Sequence, residues 1–573
     1  MNDQAVKKQG HPKGLYVLFA TEMWERFNYY GMRAILILFM TKALLFDKVL
    51  ASQLYGSYTS LVYLTPLIGG IIADRYWGNK RSIITGGILM ALGEFILFFC
   101  ASLYQSSPDV STFLFFTGLG FMITGNGFFK PNISSLVGQM YPKGDRRIDP
   151  AYTIFYMGIN VGGALGPILC SLVGETGNPA DFKWSFLIAG IGMVLSVIIQ
   201  KIYQDKYLKD PAGNDLGNEQ KNMPAFLKNP ITSSLCLAGL AALFVGMVYL
   251  DAKVFSYIFY LLIGALILIA FLIFGDKTLS KIEKQRIVVI FSVAFFVVFF
   301  WSAFEQAGAS LTFFTDEQTN RRLNLSVPVW AINLISLGLL AYVGVLWKKA
   351  IKNLREHDKS LLIGAQIVMA IIAIGLLYFN VNFYLNGESN WNVEEIGAGA
   401  FQSLNSVFVV SLAPLFAWLW IKLGKYEPSS PTKMAIGLLL LSIGYLVIAV
   451  GVKNLQPGIK VSMLWITSLY FLHTCGELCL SPIGLSLVNK LSPLKYASLL
   501  MAVWFLANAF ANKLAGVLSA LYPEAGKTTA FLGYKMENLY DFFILFVILS
   551  GVASLILFLL TRKLQKLMNL SEN

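Results

Sequence analysis

Glu22, Glu25, Arg26, Tyr29, Tyr30 and Arg33 are spaced i, i+3, i+4, i+7, i+8 and i+11. A helix advancing about 100° per residue gathers such positions into an arc of roughly 140°. The rest of the segment from Leu15 to Thr41 is mostly Leu, Ile, Phe, Met and Ala, and it is long enough to cross a bilayer. Two carboxylates and two guanidinium groups are costly inside such a span. They are therefore expected to face a water-filled cavity and to pair with one another there. The chemistry this suits is the movement of a charged or zwitterionic solute through a membrane.

Other polar residues interrupt apolar runs further along. Asp74 and Arg75 lie in GGIIADRYWGNKR, where they could latch one helix against its neighbour. Lys130 lies midway along the run 112–138, in GNGFFKPNIS, and is assigned to a cavity. Asn160 sits among small residues in FYMGINVGGALGP. Trp301, Glu305 and Gln306 lie in WSAFEQAG, Asn405 in FQSLNSVFVVSLAP, and Glu477 and Ser481 in HTCGELCLSPIG. Trp504 is in VWFLANAFANKLAG. His473 is read as a packed, hydrogen-bonding residue. Arg26, Arg33 and Lys130 come from the first half of the chain, Glu305 and Glu477 from the second. A ligand between the halves would meet cations on one wall and anions on the other, which suits a zwitterion such as a short peptide. Tyr29, Tyr30, Tyr63, Trp301 and Trp504 would supply aromatic walls tolerant of varied side chains.

The elements that must position these groups are transmembrane helices. The chain has 573 residues, of which 56% are hydrophobic and 13% charged, with a mean hydropathy of +0.63. Soluble domains carry about 25% charged residues. Sixteen apolar spans are predicted, at 15–44, 53–74, 82–104, 112–138, 151–174, 184–203, 231–250, 254–275, 287–314, 326–347, 360–379, 396–424, 434–452, 462–488, 496–522 and 538–561. With the N-terminus inside, 31 of the 45 Lys and Arg residues fall in inside segments, ten outside and four within spans. That bias predicts that both termini are cytoplasmic. Segment 204–230 reads as a cytoplasmic linker between residues 1–203 and the remainder. Two hairpins, 231–275 and 326–379, carry no intramembrane charge on this reading and are assigned to packing against lipid.

The same sequence argues against other functions. The net charge of +13 is explained by cationic inside loops. No basic cluster is interleaved with exposed aromatics, so nucleic acid is not an expected partner. The five cysteines are odd in number and irregularly spaced, so neither a disulfide framework nor a metal site is expected. No nucleophile–base set suggests an enzyme. No sizeable soluble domain suggests a receptor or sensor.

The ordered motifs resemble those of the proton-dependent oligopeptide transporters of the major facilitator superfamily, in their bacterial form. They are ExxERFxYYG (Glu22–Gly31), YLTPLIGGIIADRYWG (Tyr63–Gly78), GFFKPNIS (Gly127–Ser134), FYMGIN (Phe155–Asn160), FWSAFEQ (Phe300–Gln306), FQSLN (Phe401–Asn405), GELCLSPIG (Gly476–Gly484) and WFL (Trp504–Leu506). The resemblance implies an all-α membrane fold. Two six-helix bundles, 1–203 and 276–573, would be joined by an inter-bundle hairpin at 231–275, and a further hairpin would be inserted at about 326–379. It also implies proton-coupled import of di- and tripeptides across the bacterial cytoplasmic membrane by a single copy of the chain, with protons as the coupling ion and no other cofactor. Arg33, Lys130 and Tyr30 would address the peptide carboxylate, and Asn160, Asn405 and Glu477 its amine. Glu22, Glu25 and Arg26 would link proton binding to transport, with Glu305 as a further titrating or gating acid. The alternative substrates are another small anion or zwitterion, such as nitrate or a peptide-like drug. The 326–379 hairpin departs from the family pattern. So does Gly56, which stands where animal relatives carry a histidine, and the loop 453–460 is short.

Overall fold

The computed structural model describes residues 10–568, apart from 143, 220–222, 254–256, 457, 525 and most of 352–388. Helix fills every expected span outside 326–379. The first half comprises α1 (Lys13–Lys42), α2 (Lys48–Leu64), α3 (Pro66–Ile72), α4 (Gly78–Leu103), α5 (Pro108–Gln139), α6 (Ile148–Gly174) and α7 (Phe182–Tyr207). Helices α2 and α3 together make one crossing. A π turn at Ala73–Trp77 and Gly78, at φ +68°, then send the chain into α4. A positive φ there is cheap for glycine alone. The short α8 (Ala225–Lys228) leads into the hairpin α9 (Pro230–Lys253) and α10 (Tyr257–Phe274).

The second half comprises α11 (Lys281–Phe304), α12 (Ser310–Gln318), α13 (Val329–Ile351), α14 (Ser403–Leu423), α15 (Ser430–Val452), α16 (Met463–Leu491), α17 (Ala497–Ser519) and α18 (Leu539–Met568). Helix α1 packs on α6 and α7, and α4 on α5 and α7. In the second half α15 packs on α16 and α18, and α11 on α17 and α18. Among the described residues, twelve helical segments are long and apolar enough to cross a membrane. The charged face of α1 keeps that 30-residue helix out of this number, and Lys48–Leu103 enters it once although it reverses at Gly78. The chain is a multi-pass membrane protein with two packed helical bundles.

Close helix approach follows from small residues. A Cβ on Gly162 of α6 would stand 2.1 Å from the Met23 carbonyl oxygen of α1, and one on Gly166 would stand 2.4 Å from that of Phe27. Larger side chains would push the charged face of α1 out of place. At the other end of the sequence, Ser280 and Glu283 form a reciprocal capping box that starts α11.

Four expectations are corrected. The predicted span 287–314 is not one helix. Helix α11 ends at Phe304, Glu305–Gly308 form a 3₁₀ turn, and α12 follows. Such a break is tolerated at membrane depth when protein satisfies the freed backbone groups. Gln306 donates to the carbonyls of Ser302 (3.0 Å) and Ala515 (2.9 Å), and Thr312 donates to that of Ala307 (2.8 Å).

The predicted span 326–347 begins instead as a strand. β1 (Arg322–Pro328) pairs antiparallel with β2 (Asn390–Glu395), and α13 grows from that ribbon. Arg322, Leu323, Asn324 and Leu325 are loop-like in composition, but the partner strand 68 positions on is invisible to local pattern. The predicted span 360–379 lies outside the described residues.

Asp74 and Arg75 are exposed and form no latch. The neighbouring Lys80 and Arg81 reach Asp205 (3.0 Å) and Glu219 (2.9 Å), so the segment 204–219 is fastened to the start of α4. The fourth correction concerns α9. Asp251, at its end, is fully buried and ion-paired with Lys513 of α17, so the 231–275 hairpin is not without intramembrane charge.

Candidate functional site

The face read from the sequence is assembled on α1. Arg26 Nε lies 2.9 Å from Glu22 Oε1 and 2.5 Å from Glu25 Oε2, and all three side chains are buried. The i, i+4 spacing puts Glu22 and Arg26 on one helix face, and the adjacent Glu25 reaches the same guanidinium. Asn126 of α5 donates to Glu25 Oε1 at 3.4 Å. The Arg26 guanidinium also lies 5.6 Å from the ring centre of Tyr29 and 5.9 Å from that of Tyr30.

Two turns on, Arg33 Nη1 donates to Glu305 Oε2 at 2.9 Å. This pair joins α1 to the turn after α11, and therefore the first half to the second. The Tyr30 ring stands 5.3 Å from the Arg33 guanidinium. The break in α11 places Glu305 here, since Gly308 at the end of the turn lets the backbone lie against the Tyr55 hydroxyl.

Lys130 is half-buried, with Nζ 4.4 Å from the centre of the Tyr63 ring, a cation–π contact. It lies within electrostatic reach of Glu22, Glu25, Arg26 and Glu305. In the second half, Asn405 Nδ2 donates to Glu477 Oε2 at 2.7 Å and to Thr474 Oγ1 at 3.1 Å. Glu477 is in turn within electrostatic reach of Glu305, and Tyr30 of both acids. Cations from one half and acids from the other thus belong to one connected set.

The remaining expected residues fall as follows. Tyr30, Tyr63, Trp301, Asn405 and Ser481 are half-buried, as groups lining an open space would be. Tyr29 is buried against the core. Trp301 stacks edge-on against Phe300 and Phe304. Trp504 is packed over Gly484 of α16. Asn160 donates to the Tyr156 carbonyl of its own helix, at 2.9 Å. His473 packs on Tyr445, with ring centres 4.8 Å apart, and is buried. All five cysteines are free, Cys236 is exposed, and no metal-binding cluster occurs among the described residues.

The halves are in contact chiefly at the end that carries the 43–47 loop. Lys42 pairs with Asp316 (2.7 Å) and Lys48 with Glu317 (2.5 Å). Glu175 accepts from the backbone amides of Ala398 (2.7 Å) and Gly399 (2.9 Å). Towards the opposite end, Tyr152, Tyr156 and Met157 of α6 and Leu415 and Trp418 of α14 are exposed. The central charges are therefore closed over at the 43–47 end.

Sequence reasoning missed three acids, the fully buried Glu94 and Asp251 and the half-buried Glu175. Glu94 of α4 is fully buried and accepts from Asn28 Nδ2 at 2.9 Å; a glutamate inside ILMALGEFILFF was the available signal. Glu175 and Asp251 sit at helix ends, where composition resembles an ordinary loop.

The sequence matches the family described as "PTR2: POT family" over residues 80–359 and 385–534. The match is interrupted at residues 360–384, which include the second half of the predicted 326–379 hairpin. An uncharacterised transporter from Bacillus subtilis, YclF, is 32% identical over 91% of this chain and 90% of that protein. A di-/tripeptide transporter from Lactococcus lactis is 28% identical over 98% of this chain and 97% of its own length. A crystal structure of a mutant peptide transporter POT in complex with alafosfalin superposes with a TM-score of 0.71, at 28% identity, covering 98% of this chain and 97% of that one.

Proposed function

The chain belongs to the POT family, and on that premise we propose that it imports di- and tripeptides together with protons by alternating access. The reading is carried by one observation. The Arg33–Glu305 pair crosses between the halves with Lys130 and Tyr63 on one side and the Asn405–Glu477 pair on the other. A peptide zwitterion complements that distribution of charge. Its carboxylate would compete with Glu305 for Arg33, with Lys130 and Tyr30 beside it. Its amine would compete with Asn405 for Glu477, near Asn160. Tyr29, Tyr63, Trp301, Trp504 and Ser481 would border the side chains.

The coupling follows from charge balance. Glu22, Glu25, Arg26 and Lys130 form a set with two formal charges of each sign. A substrate carboxylate that draws Lys130 away leaves excess negative charge around Arg26, and a proton on Glu22 or Glu25 restores neutrality. A proton on Glu305 likewise frees Arg33. A membrane potential of about 100 mV contributes roughly 2.3 kcal/mol per charge, and one pH unit about 1.4 kcal/mol. Together these support accumulation of a neutral zwitterion by several hundred-fold per proton.

The chain is read as working in the bacterial cytoplasmic membrane as a single copy, with both termini inside and the 43–47 end outside. On that orientation the structure is closed to the outside. No cofactor besides the proton is required, and lipid is the other partner. The test is uptake of labelled di- and tripeptides into proteoliposomes with an imposed proton gradient. Uptake accelerated by external acid and unaffected by excess single amino acids is expected. Gradient-independent uptake, or none, would overturn the proposal.

A further inference from the structure

We propose that Asp251 and Lys513 form a second latch between the halves, through which the α9–α10 hairpin holds the 43–47 end shut. The inference rests on the alternating-access reading above. Its starting point is a carboxylate and an ammonium with no exposed surface at all.

Asp251 makes contacts with three separate bodies. Its Oδ2 pairs with Lys513 Nζ of α17, in the second half, and accepts from Ser57 Oγ of α2, in the first half. Its Oδ1 accepts from the backbone amide of Ile258 at 3.0 Å, the first turn of α10. Lys513 itself donates to Ser57 Oγ (2.9 Å) and to Gln53 Oε1 (3.3 Å). Around this cluster, α9 packs on α2 and α5 of the first half, and α10 packs on α17 of the second. The hairpin therefore bridges the seam, with its one buried acid at the crossing point.

Helices α2 and α17 touch backbone to backbone here. A Cβ on Gly56 would stand 2.7 Å from the Cα of Gly516, and Ser52 Oγ and Ser519 Oγ are 2.9 Å apart. For the closed end to open, these two helices must separate, so Lys513 must leave Gln53 and Ser57, and Asp251 must give up either Ser57 or Lys513. A buried ion pair resists loss of one partner far more than replacement of both. The cluster thus opposes opening, and it does so without touching the substrate groups.

The experiment uses the full chain in lipid nanodiscs on a Cys236→Ser background, with spin labels at Val49→Cys of α2 and Lys527→Cys after α17. Both positions are exposed, at the closed end, one in each half. Two variants are compared with the parent. Asp251→Asn with Lys513→Met removes the pair, and Ser57→Ala with Gln53→Leu keeps the pair but cuts its side-chain ties to the first half. Each is expected to raise the long-distance fraction at least twofold. Unchanged distributions in both would overturn the latch. A shift in the Asp251/Lys513 variant alone would overturn its cross-seam character, leaving hairpin docking on α17. Dipeptide uptake by the parent is measured separately. Its failure would refute peptide transport, while the distance distributions would still decide whether the latch exists.

Discussion

Two buried ion pairs cross between the halves, and they differ in what surrounds them. Arg33–Glu305 has the half-buried Tyr30 ring beside it and Lys130 and Glu477 within electrostatic reach. Its partners can be exchanged for a ligand or a proton. Asp251–Lys513 is enclosed by Ser57, Gln53 and the start of α10, and both of its side chains have no exposed surface. On the proposed mechanism the first pair is broken in each cycle by chemistry, and the second yields only when whole helices part. Placement in a membrane sets the cost of a charge pair less than the availability of substitutes does.

The sharpest break in this contrast is Lys513→Met alone, which strands Asp251 in an apolar setting. A loss of about 3–5 kcal/mol is expected, read as a large fall in the detergent-solubilised melting temperature. Replacing both partners should return most of that loss, because burying two apolar groups of similar volume is roughly neutral. A double variant as unstable as the single one would mean that the enclosure itself is defective. Glu305→Gln should melt within about 1 kcal/mol of the parent, since Arg33 retains other groups around it, yet gradient-driven dipeptide uptake should fall at least tenfold. Equal losses of stability for Glu305→Gln and Lys513→Met would erase the distinction. Glu22→Gln should abolish pH-driven uptake and spare counterflow of labelled dipeptide. The smallest effect belongs to Lys42→Ala. Its pair with Asp316 is 43% exposed on the lysine side, so about 0–1 kcal/mol is expected, and this should vanish in high salt.

The same contrast marks what could be read from sequence. The α1 face was legible because its residues repeat with the helical period within one segment. Glu305 facing Arg33 was legible from charge complementarity between halves. Asn405 beside Glu477 was expected only through the amine each would hold, and the structure adds their direct hydrogen bond. Asp251 was not legible, because an acid that ends an apolar helix looks like the first residue of a loop. Its partner lies 262 positions away. Lys513 was visible as a span lysine but gave no hint of direction. The break at Glu305 was hidden as well, since FWSAFEQAGAS continues an apolar run and only tertiary bonds to Gln306 and Thr312 make the turn affordable. The ribbon that carries α13 pairs residues separated by the whole insertion, which no local window spans.

The bare backbone contact at Gly56 and Gly516 leaves this carrier open to jamming by one carbon atom. An added methyl at Gly516 would strike the Ser52 carbonyl oxygen at 2.6 Å and act as a doorstop, propping the 43–47 end ajar. Such a protein should still take up its cargo from that side, yet stall before delivering it.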